Sequence, residues 1–251
     1  MELLDIDINE LKREVTEKFE LAKKNVLNEL TIDKKFAKDI SNNIPNYDIN
    51  KMKFGAYEKD KFVSFFADMR DSTNRAMDIG AKDTFLTIHA IMPAMIYIIE
   101  AYGGSIVDLP GDGVMALFKG NPKNIRWVVG GKYLNEESLA VGCGKDLLTT
   151  FEEIVNPILV DNNIKSVTFG VGIDTGEVIV TKVGTDKIRD IKAIGNCINN
   201  SSKNSDGSNE IWISVDTYNS MDERLKKNFY LSYRVDKKTG ENIKIYRQKI
   251  D

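Results

Sequence analysis

The chain has 251 residues, 42% of them apolar, which is enough for one full hydrophobic core and short for two independent ones. With 35 basic against 38 acidic residues the formal charge is −3, which excludes a global basic footprint for nucleic acid or an anionic membrane; any cationic site must be local. Cys143 and Cys197, far apart and without C-x-x-C spacing, exclude a disulfide framework and a zinc cluster and fit a reducing cytoplasm.

Leu11, Val15, Phe19, Ala22, Val26 and Leu30 recur at three- and four-residue steps among Lys and Glu, which predicts an amphipathic helix over residues 9–30. Packing of that stripe on the core is favoured over a dedicated dimerisation arm. Residues 31–60 are polar and punctuated by Asn42, Asn43, Pro45 and Asn46, so an N-terminal helix and connector (1–60) precede a single domain (61–251) that opens near Phe62. The run Phe62 to Asp68 reads as a buried strand ending on a carboxylate, and Asp71, Ser72 and Thr73 offer N-cap residues for a helix that continues to about Tyr102. Its most apolar part, from Phe85, contains Thr87, His89, Pro93 and Glu100, which predicts a buried helix and no stable membrane insertion; no signal-peptide pattern opens the chain. His89, the one histidine, reads as packing.

Gly103-Gly104 breaks the helix, and strands over Ser105 to Leu109 and Val114 to Phe118 flank Pro110-Gly111-Asp112-Gly113, a β-hairpin with an acid at its tip. A helix over Glu136 to Val155 follows. Ser166 to Ile173 and Glu177 to Val183 then read as a strand pair around Asp174-Thr175-Gly176. Ser201 to Asn209 reads as a polar loop, and further strands fall at Glu210 to Ser214, Tyr230 to Val235 and Ile243 to Arg247. Trp127 and Trp212 read as packing. The order strand, helices, hairpin, helix, strand is the split βαβ of α+β, ferredoxin-like domains. There the first two strands are parallel with the third antiparallel between them, so Asp68 and Asp112 become neighbours in space.

Two carboxylates converging at one strand edge with little counter-charge suit hard divalent cations, which take oxygen ligands and leave room for substrate phosphates. Two such ions about 3.5–4 Å apart can activate an attacking oxygen and neutralise a leaving one in phosphoryl transfer. The loop Met69 to Thr73 opens a helix, where free N–H groups favour an anion such as a triphosphate. Taken singly, Asp68 as a helix cap and Asp112 as a turn residue are ordinary roles.

The segments Phe65-Phe66-Ala67-Asp68-Met69-Arg70-Asp71-Ser72-Thr73, Gly103-Gly104 through Gly111-Asp112-Gly113-Val114-Met115-Ala116-Leu117-Phe118, Phe169-Gly170-Val171-Gly172-Ile173-Asp174-Thr175-Gly176-Glu177-Val178 and Gly195-Asn196-Cys197-Ile198-Asn199 resemble, in order, the motifs of class III adenylate and guanylate cyclases over about residues 62–215. The resemblance implies a class III cyclase catalytic domain with an N-terminal helical extension, converting a nucleoside triphosphate into a 3′,5′-cyclic monophosphate and pyrophosphate. It implies two divalent cations, Mn²⁺ or Mg²⁺, held by Asp68, Asp112 and the backbone carbonyl of Met69, with Arg70, Asp71, Ser72 and Thr73 near the substrate. Asn199 matches the asparagine that orients the ribose. Lys203 stands where the family usually has a transition-state arginine, keeping the charge but losing the planar two-point grip on phosphate, a loss Arg70 is one candidate to make up.

The base-reading places also depart. Adenylate cyclases have a lysine four residues before the second metal aspartate and an aspartate or threonine seven before the ribose asparagine, and guanylate cyclases have glutamate and a small polar residue there. This chain has Asp108 and Lys192. Asp108 can accept from uracil N3–H or the cytosine amine, Lys192 can donate to a pyrimidine carbonyl, and the long lysine shortens the pocket. The combination resembles the pyrimidine cyclases of bacterial Pycsar antiphage systems, which implies cyclic UMP, or cyclic CMP, made in the cytoplasm for a separate effector, with UTP preferred. The resemblance further implies a head-to-tail homodimer in which Asp68 and Asp112 of one protomer face Asp108, Lys192, Asn199 and Lys203 of the other. Alternatives are an adenylate or guanylate cyclase, a degenerate nucleotide-binding module without turnover, and a plain cross-strand ion pair between Asp108 and Lys192. A polymerase palm lacks support, since there is neither a thumb-sized region nor a basic stripe, and the Gly-Gly-Asp-Glu-Phe run of diguanylate cyclases is absent.

Overall fold

Strand alternation divides the first β-strand between two different environments. In β1 (Tyr57–Met69), Val63, Phe65, Ala67 and Met69 enter the main core, while Phe62 joins a second apolar cluster on the opposite face. The computed structural model describes residues 6–27, 44–45, 47–48, 51–119, 128–129, 132–187 and 189–250. Leu30, Asn42, Asn43, Asn46 and Trp127 lie outside the described residues.

The main core lies beneath α1 (Ile8–Leu27), α2 (Ser72–Ala101) and α3 (Glu136–Thr150). In α1 the stripe Leu11, Val15, Phe19 and Ala22 is no more than 2% exposed and packs on α2, so the apolar face is core. Helix α2 is interrupted at Gly80 (φ 79°, ψ 173°) and carries Pro93 within it. By length and composition it could cross a membrane, yet Leu86, Ala90, Ile91, Ala94, Met95, Ile98 and Ile99 are buried in the domain, as in a core helix. Helix α3 continues through a π-helical turn (Phe151–Val155) into α4 (Asn156–Asp161), six residues beyond the predicted end.

The hairpin strands β2 (Ser105–Asp108) and β3 (Val114–Phe118) add to β1, with β3 antiparallel to both neighbours. A small ladder, β4 (Val128–Val129) with β5 (Lys132–Tyr133), stands apart from the main sheet. On the other side of β1 lies β6 (Phe169–Gly184), antiparallel and in register from Met69 opposite Phe169 to Tyr57 opposite Thr181. The strand pair predicted around Asp174-Thr175-Gly176 is therefore one continuous strand of 16 residues. The polar residues that suggested a turn are satisfied from the faces: Asp174 accepts from Asn200 and Thr175 shares a hydrogen bond with Thr217.

Beyond β6, β7 (Arg189–Ile194) pairs with its C-terminal part and β8 (Glu210–Ser214) runs parallel to its N-terminal part. Strands β9 (Tyr230–Val235) and β10 (Asn242–Lys249) close the sheet, whose order is β2-β3-β1-β6-β8-β10-β9. Short helices α6 (Val215–Ser220) and α7 (Glu223–Lys226) connect β8 to β9. Helix α5 (Asn196–Asn204) covers the second face, where Phe62, Met115, Leu117, Val178, Val180, Ile191 and its own Cys197 form the smaller cluster. Its last turn corrects the polar loop expected from Ser201, because Ser201 and Asn204 point at the sheet and are buried. The arrangement is the expected α+β split βαβ, β2-β3-β1-β6, extended on the β6 side only, by β7, β8, β10 and β9.

Candidate active site

Antiparallel pairing of Ala67 with Val114 brings the end of β1 beside the turn between β2 and β3. A Cβ on Gly113 would lie 2.8 Å from the Ala67 carbonyl oxygen and 3.2 Å from Asp68 Oδ1, so only glycine lets the turn close on Asp68. Asp112 Oδ2 is buried without a hydrogen-bond partner. Burial first, then the charge of Asp112, raises the pKa of the half-buried Asp68; Arg70 opposes this and Asp206 adds to it. An orphaned carboxylate oxygen beside a second carboxylate whose charge is disfavoured by burial is the donor set a hard cation relieves. Among the described residues no cluster of three or more His, Cys, Asp or Glu side chains gathers, so an ion here would complete its shell with water and substrate oxygens. Met69 is buried at the strand end opposite Phe169.

Arg70 is anchored within the chain. Its guanidinium donates to the Ser205 carbonyl (2.8 Å) and to Asp206 (3.1 Å), and lies 3.6 Å from Asp68. It thereby links the metal-type carboxylate to the end of α5. Asp71 adopts the left-handed conformation (φ 56°) at the N-cap of α2, and its side chain accepts from Asn74 rather than from a backbone N–H. Ser72 and Thr73 form the first turn of α2.

Helix α5 is seated by the glycines of β6. A Cβ at Gly172 would lie 1.9 Å from the Ser201 carbonyl oxygen, and one at Gly170 would lie 2.1 Å from that of Ser205. Ser201 and Ser64 share a hydrogen bond of 2.7 Å beneath the helix, and Asn200 donates to buried Asp174 at 3.0 Å. Asn199 and Lys203, one helical turn apart, therefore point outward and are exposed. Lys203 donates to Asp236 at 2.8 Å, so it is a helix residue with a partner and not a solvated loop lysine. That ammonium, followed by the N–H groups of Lys238 and Thr239, holds the Asp236 carboxyl far below the usual carboxylate range. Behind it, the buried Arg234 of β9 donates to Asn204 (2.7 Å) and Asn200 (3.3 Å).

Asp108 is exposed at the end of β2, opposite Met115, where the pairing with β3 shifts register. Lys192 stands on β7 opposite Thr181 and pairs with Asp190 at 2.6 Å. Strands β3, β1 and β6 separate the two, so they form no cross-strand ion pair within one chain. Sequence reasoning had no sign of Arg234, Asp236 or Asp206; they come from distant loops and strands, and only the run of asparagines on α5 marks a helix in need of outside partners. Burial pushes the Cys197 thiol up to about 11 and that of Cys143 up as well, so neither offers a thiolate. A cavity of about 400 Å³ opens at the far end of β1, between Lys61 and Glu137, but both of its lysines already face carboxylates.

No family model matches the chain. It is 26% identical over 158 residues to the uridylate cyclase of Rhodovulum sp. (strain MB263), a match spanning 61% of this chain and 60% of that protein. It is also 26% identical over 115 residues to the cytidylate cyclase of Escherichia coli, spanning 46% of this chain and 24% of that one. The chain thus spans less than two thirds of either relative. Among solved structures the guanylyl cyclase Cya2 superposes with a TM-score of 0.63 at 19% identity, covering 76% of this chain and 92% of that one. The adenylyl cyclase CyaB from P. aeruginosa gives 0.60 at 24%, covering 76% and 95%. A class III adenylyl cyclase-like ATP-binding protein from Pseudomonas aeruginosa gives 0.60 at 20%, covering 77% and 41%. Motif order, sequence similarity and fold agree: the chain has the fold of class III cyclase catalytic domains and is similar in sequence to a uridylate and a cytidylate cyclase.

Proposed function

We propose that this chain is a pyrimidine nucleotide cyclase that makes cyclic UMP, or cyclic CMP, and pyrophosphate from the matching triphosphate. The observation that carries the reading is the convergence of Asp68 and Asp112 with a buried, unpartnered Asp112 oxygen. These carboxylates would hold two divalent cations, Mg²⁺ or Mn²⁺, which when bound lower the pKa of the ribose 3′-hydroxyl and neutralise charge on the phosphates. In the reaction the 3′-hydroxyl gives up its proton to solvent, the bond from O3′ to the α-phosphorus forms in line, and the bond to pyrophosphate breaks with its electron pair leaving on pyrophosphate. Asn199 orients the ribose, and the Lys203 ammonium meets the charge developing on the phosphate. Arg70, bonded to Ser205 and Asp206, fixes Asp68 rather than reaching for substrate.

Asp108 and Lys192 read the base. Their reversal of the adenylate pair, their departure from the guanylate one and the two relatives named for pyrimidine products support uridine or cytidine, and the acceptor-plus-donor pair fits the N3–H and carbonyl of uracil. A head-to-tail homodimer unites the halves, with Asp68 and Asp112 of one protomer facing Asp108, Lys192, Asn199 and Lys203 of its partner. Exposure of Asp108 and of the Asn199 and Lys203 face supports this. The product then serves as a cytoplasmic second messenger read by a separate effector in antiphage defence.

The test is incubation of the purified protein with Mn²⁺ and each of ATP, GTP, UTP and CTP, with mass spectrometry of the products and Asp112→Ala as control. A cyclic pyrimidine monophosphate that disappears in the variant is expected. A purine product would refute the base assignment, and no product from a dimeric sample would favour a nucleotide-binding module.

A further inference from the structure

We propose that Asp236 is the positioning residue for Lys203, compensating for the absence of a guanidinium at that place; the inference rests on the cyclase reading above. A guanidinium is a rigid planar fork whose donors are already arranged for phosphate, whereas an ammonium is a point charge on a flexible stem. A lysine in that role needs something outside itself to aim it. Asp236 Oδ2 accepts from Lys203 Nζ at 2.8 Å.

The carboxylate that does the aiming is itself fixed. Its Oδ1 accepts from the backbone N–H of Lys238 at 2.9 Å and of Thr239 at 3.3 Å, and its side chain is only 13% exposed. The turn that carries it is closed by the Asp236 N–H donating to the Glu241 carbonyl and the Gly240 N–H donating to that of Asp236. Arg234 stands 3.8 Å from the same Oδ2 and, through Asn204 and Asn200, ties β9 to the helix that bears Lys203. Donor and acceptor are therefore referenced to one frame.

Lys203 nevertheless stays 44% exposed. One of its three donors is committed to Asp236 and the others remain free for a phosphate arriving from solvent. With its ammonium end open to solvent the pair is screened and contributes modestly to folding stability, so its worth lies in orientation. Asparagine at 236 keeps an oxygen for the two backbone N–H groups and loses the charge that holds the ammonium.

The experiment compares wild type, Asp236→Asn and the double variant Asp236→Asn with Lys203→Arg, in steady-state cyclase assays with Mn²⁺ and the preferred triphosphate. Asp236→Asn is expected to lower kcat about ten- to a hundredfold, with KM within about twofold of wild type and only a small fall in melting temperature. Arginine at 203, bringing its own fork, is expected to restore most of the lost kcat in that background. A kcat for Asp236→Asn equal to or above that of wild type, or a double variant no faster than the single one, would overturn the inference. Wild-type turnover with either of those results sinks this inference alone, whereas absence of any cyclic nucleotide from the wild type sinks the cyclase reading and this inference with it.

Discussion

Gly172→Ala tests the docking of α5 from a position remote from any substrate. The new Cβ would stand 1.9 Å from the Ser201 carbonyl oxygen and 2.5 Å from the Ser205 nitrogen, both backbone atoms that no rotamer change can move. Relief requires α5 to withdraw by about 1 Å, since Cβ contacts below about 3 Å do not occur in close-packed proteins. Overpacking of this kind costs about 1–3 kcal/mol. Replacing glycine within a strand returns about 0.5–1 kcal/mol of chain entropy. A net loss of about 1–2 kcal/mol follows, or about 2–8 °C in melting temperature for a chain of this size. Turnover should suffer far more, because α5 carries Asn199 and Lys203, and an ångström of misplacement costs about a hundredfold. The assay pairs thermal melts with kcat and includes Val171→Ala, which truncates the neighbouring residue on the opposite, α3-side face of the same strand. Wild-type turnover in Gly172→Ala, or an equal loss in Val171→Ala, would refute the reasoning.

Two stability measurements follow from the same structure. Burial and the charge of Asp112 raise the pKa of Asp68, so the folded state binds that proton more tightly than the unfolded chain, and stability falls as pH rises from the ordinary aspartate value of 3.8 through the raised pKa. The penalty is in force at neutral pH. Asp68→Asn is therefore expected to melt above wild type at pH 7 without metal, with the gap closing below about pH 4, while Mn²⁺ should raise the melting temperature of wild type only; a variant that melts lower at pH 7 contradicts this. Phe19→Ala removes a fully buried ring of α1 and is expected to cost about 3–5 kcal/mol in urea titration. A loss below about 1 kcal/mol would return α1 to the role of a dimerisation arm.

Periodicity made most of the elements legible, because their two faces meet different surroundings. The stripe Leu11, Val15, Phe19, Ala22 and the boundaries of β8 and β9 follow from local pattern alone. The failures occur where tertiary contacts overrule local chemistry. Asp174-Thr175-Gly176 has the composition of a turn, but α5 and α6 satisfy it from outside, so β6 runs straight through. Ser201 to Asn204 has the composition of a loop, but the Gly170 and Gly172 gap in the sheet draws it in as a helix. In the candidate site, Asp68 and Asp112 were legible because hairpin topology alone makes them neighbours. Arg234 and Asp236 were not, since no spacing links residues 203 and 236 before the sheet has been assembled.

Helix α5 makes the consequence for function concrete. Its nine residues, Asn196 to Asn204, include four asparagines and two serines, a composition poor in helix propensity and far too short to be helical alone. Its position is therefore set by what it touches: the Ser64 hydroxyl and the sheet glycines beneath, Asp174 through Asn200, and Arg234 through Asn204. Asn199 and Lys203 inherit that position, because the exposed face of a helix lies wherever its buried face is pinned. Sensitivity of turnover should accordingly be spread over residues that never meet a nucleotide, and it should follow the contacts of α5 rather than distance from the metal-type carboxylates. A helix with stronger intrinsic propensity could hold its geometry through loss of one such contact, whereas α5 has little else to rely on.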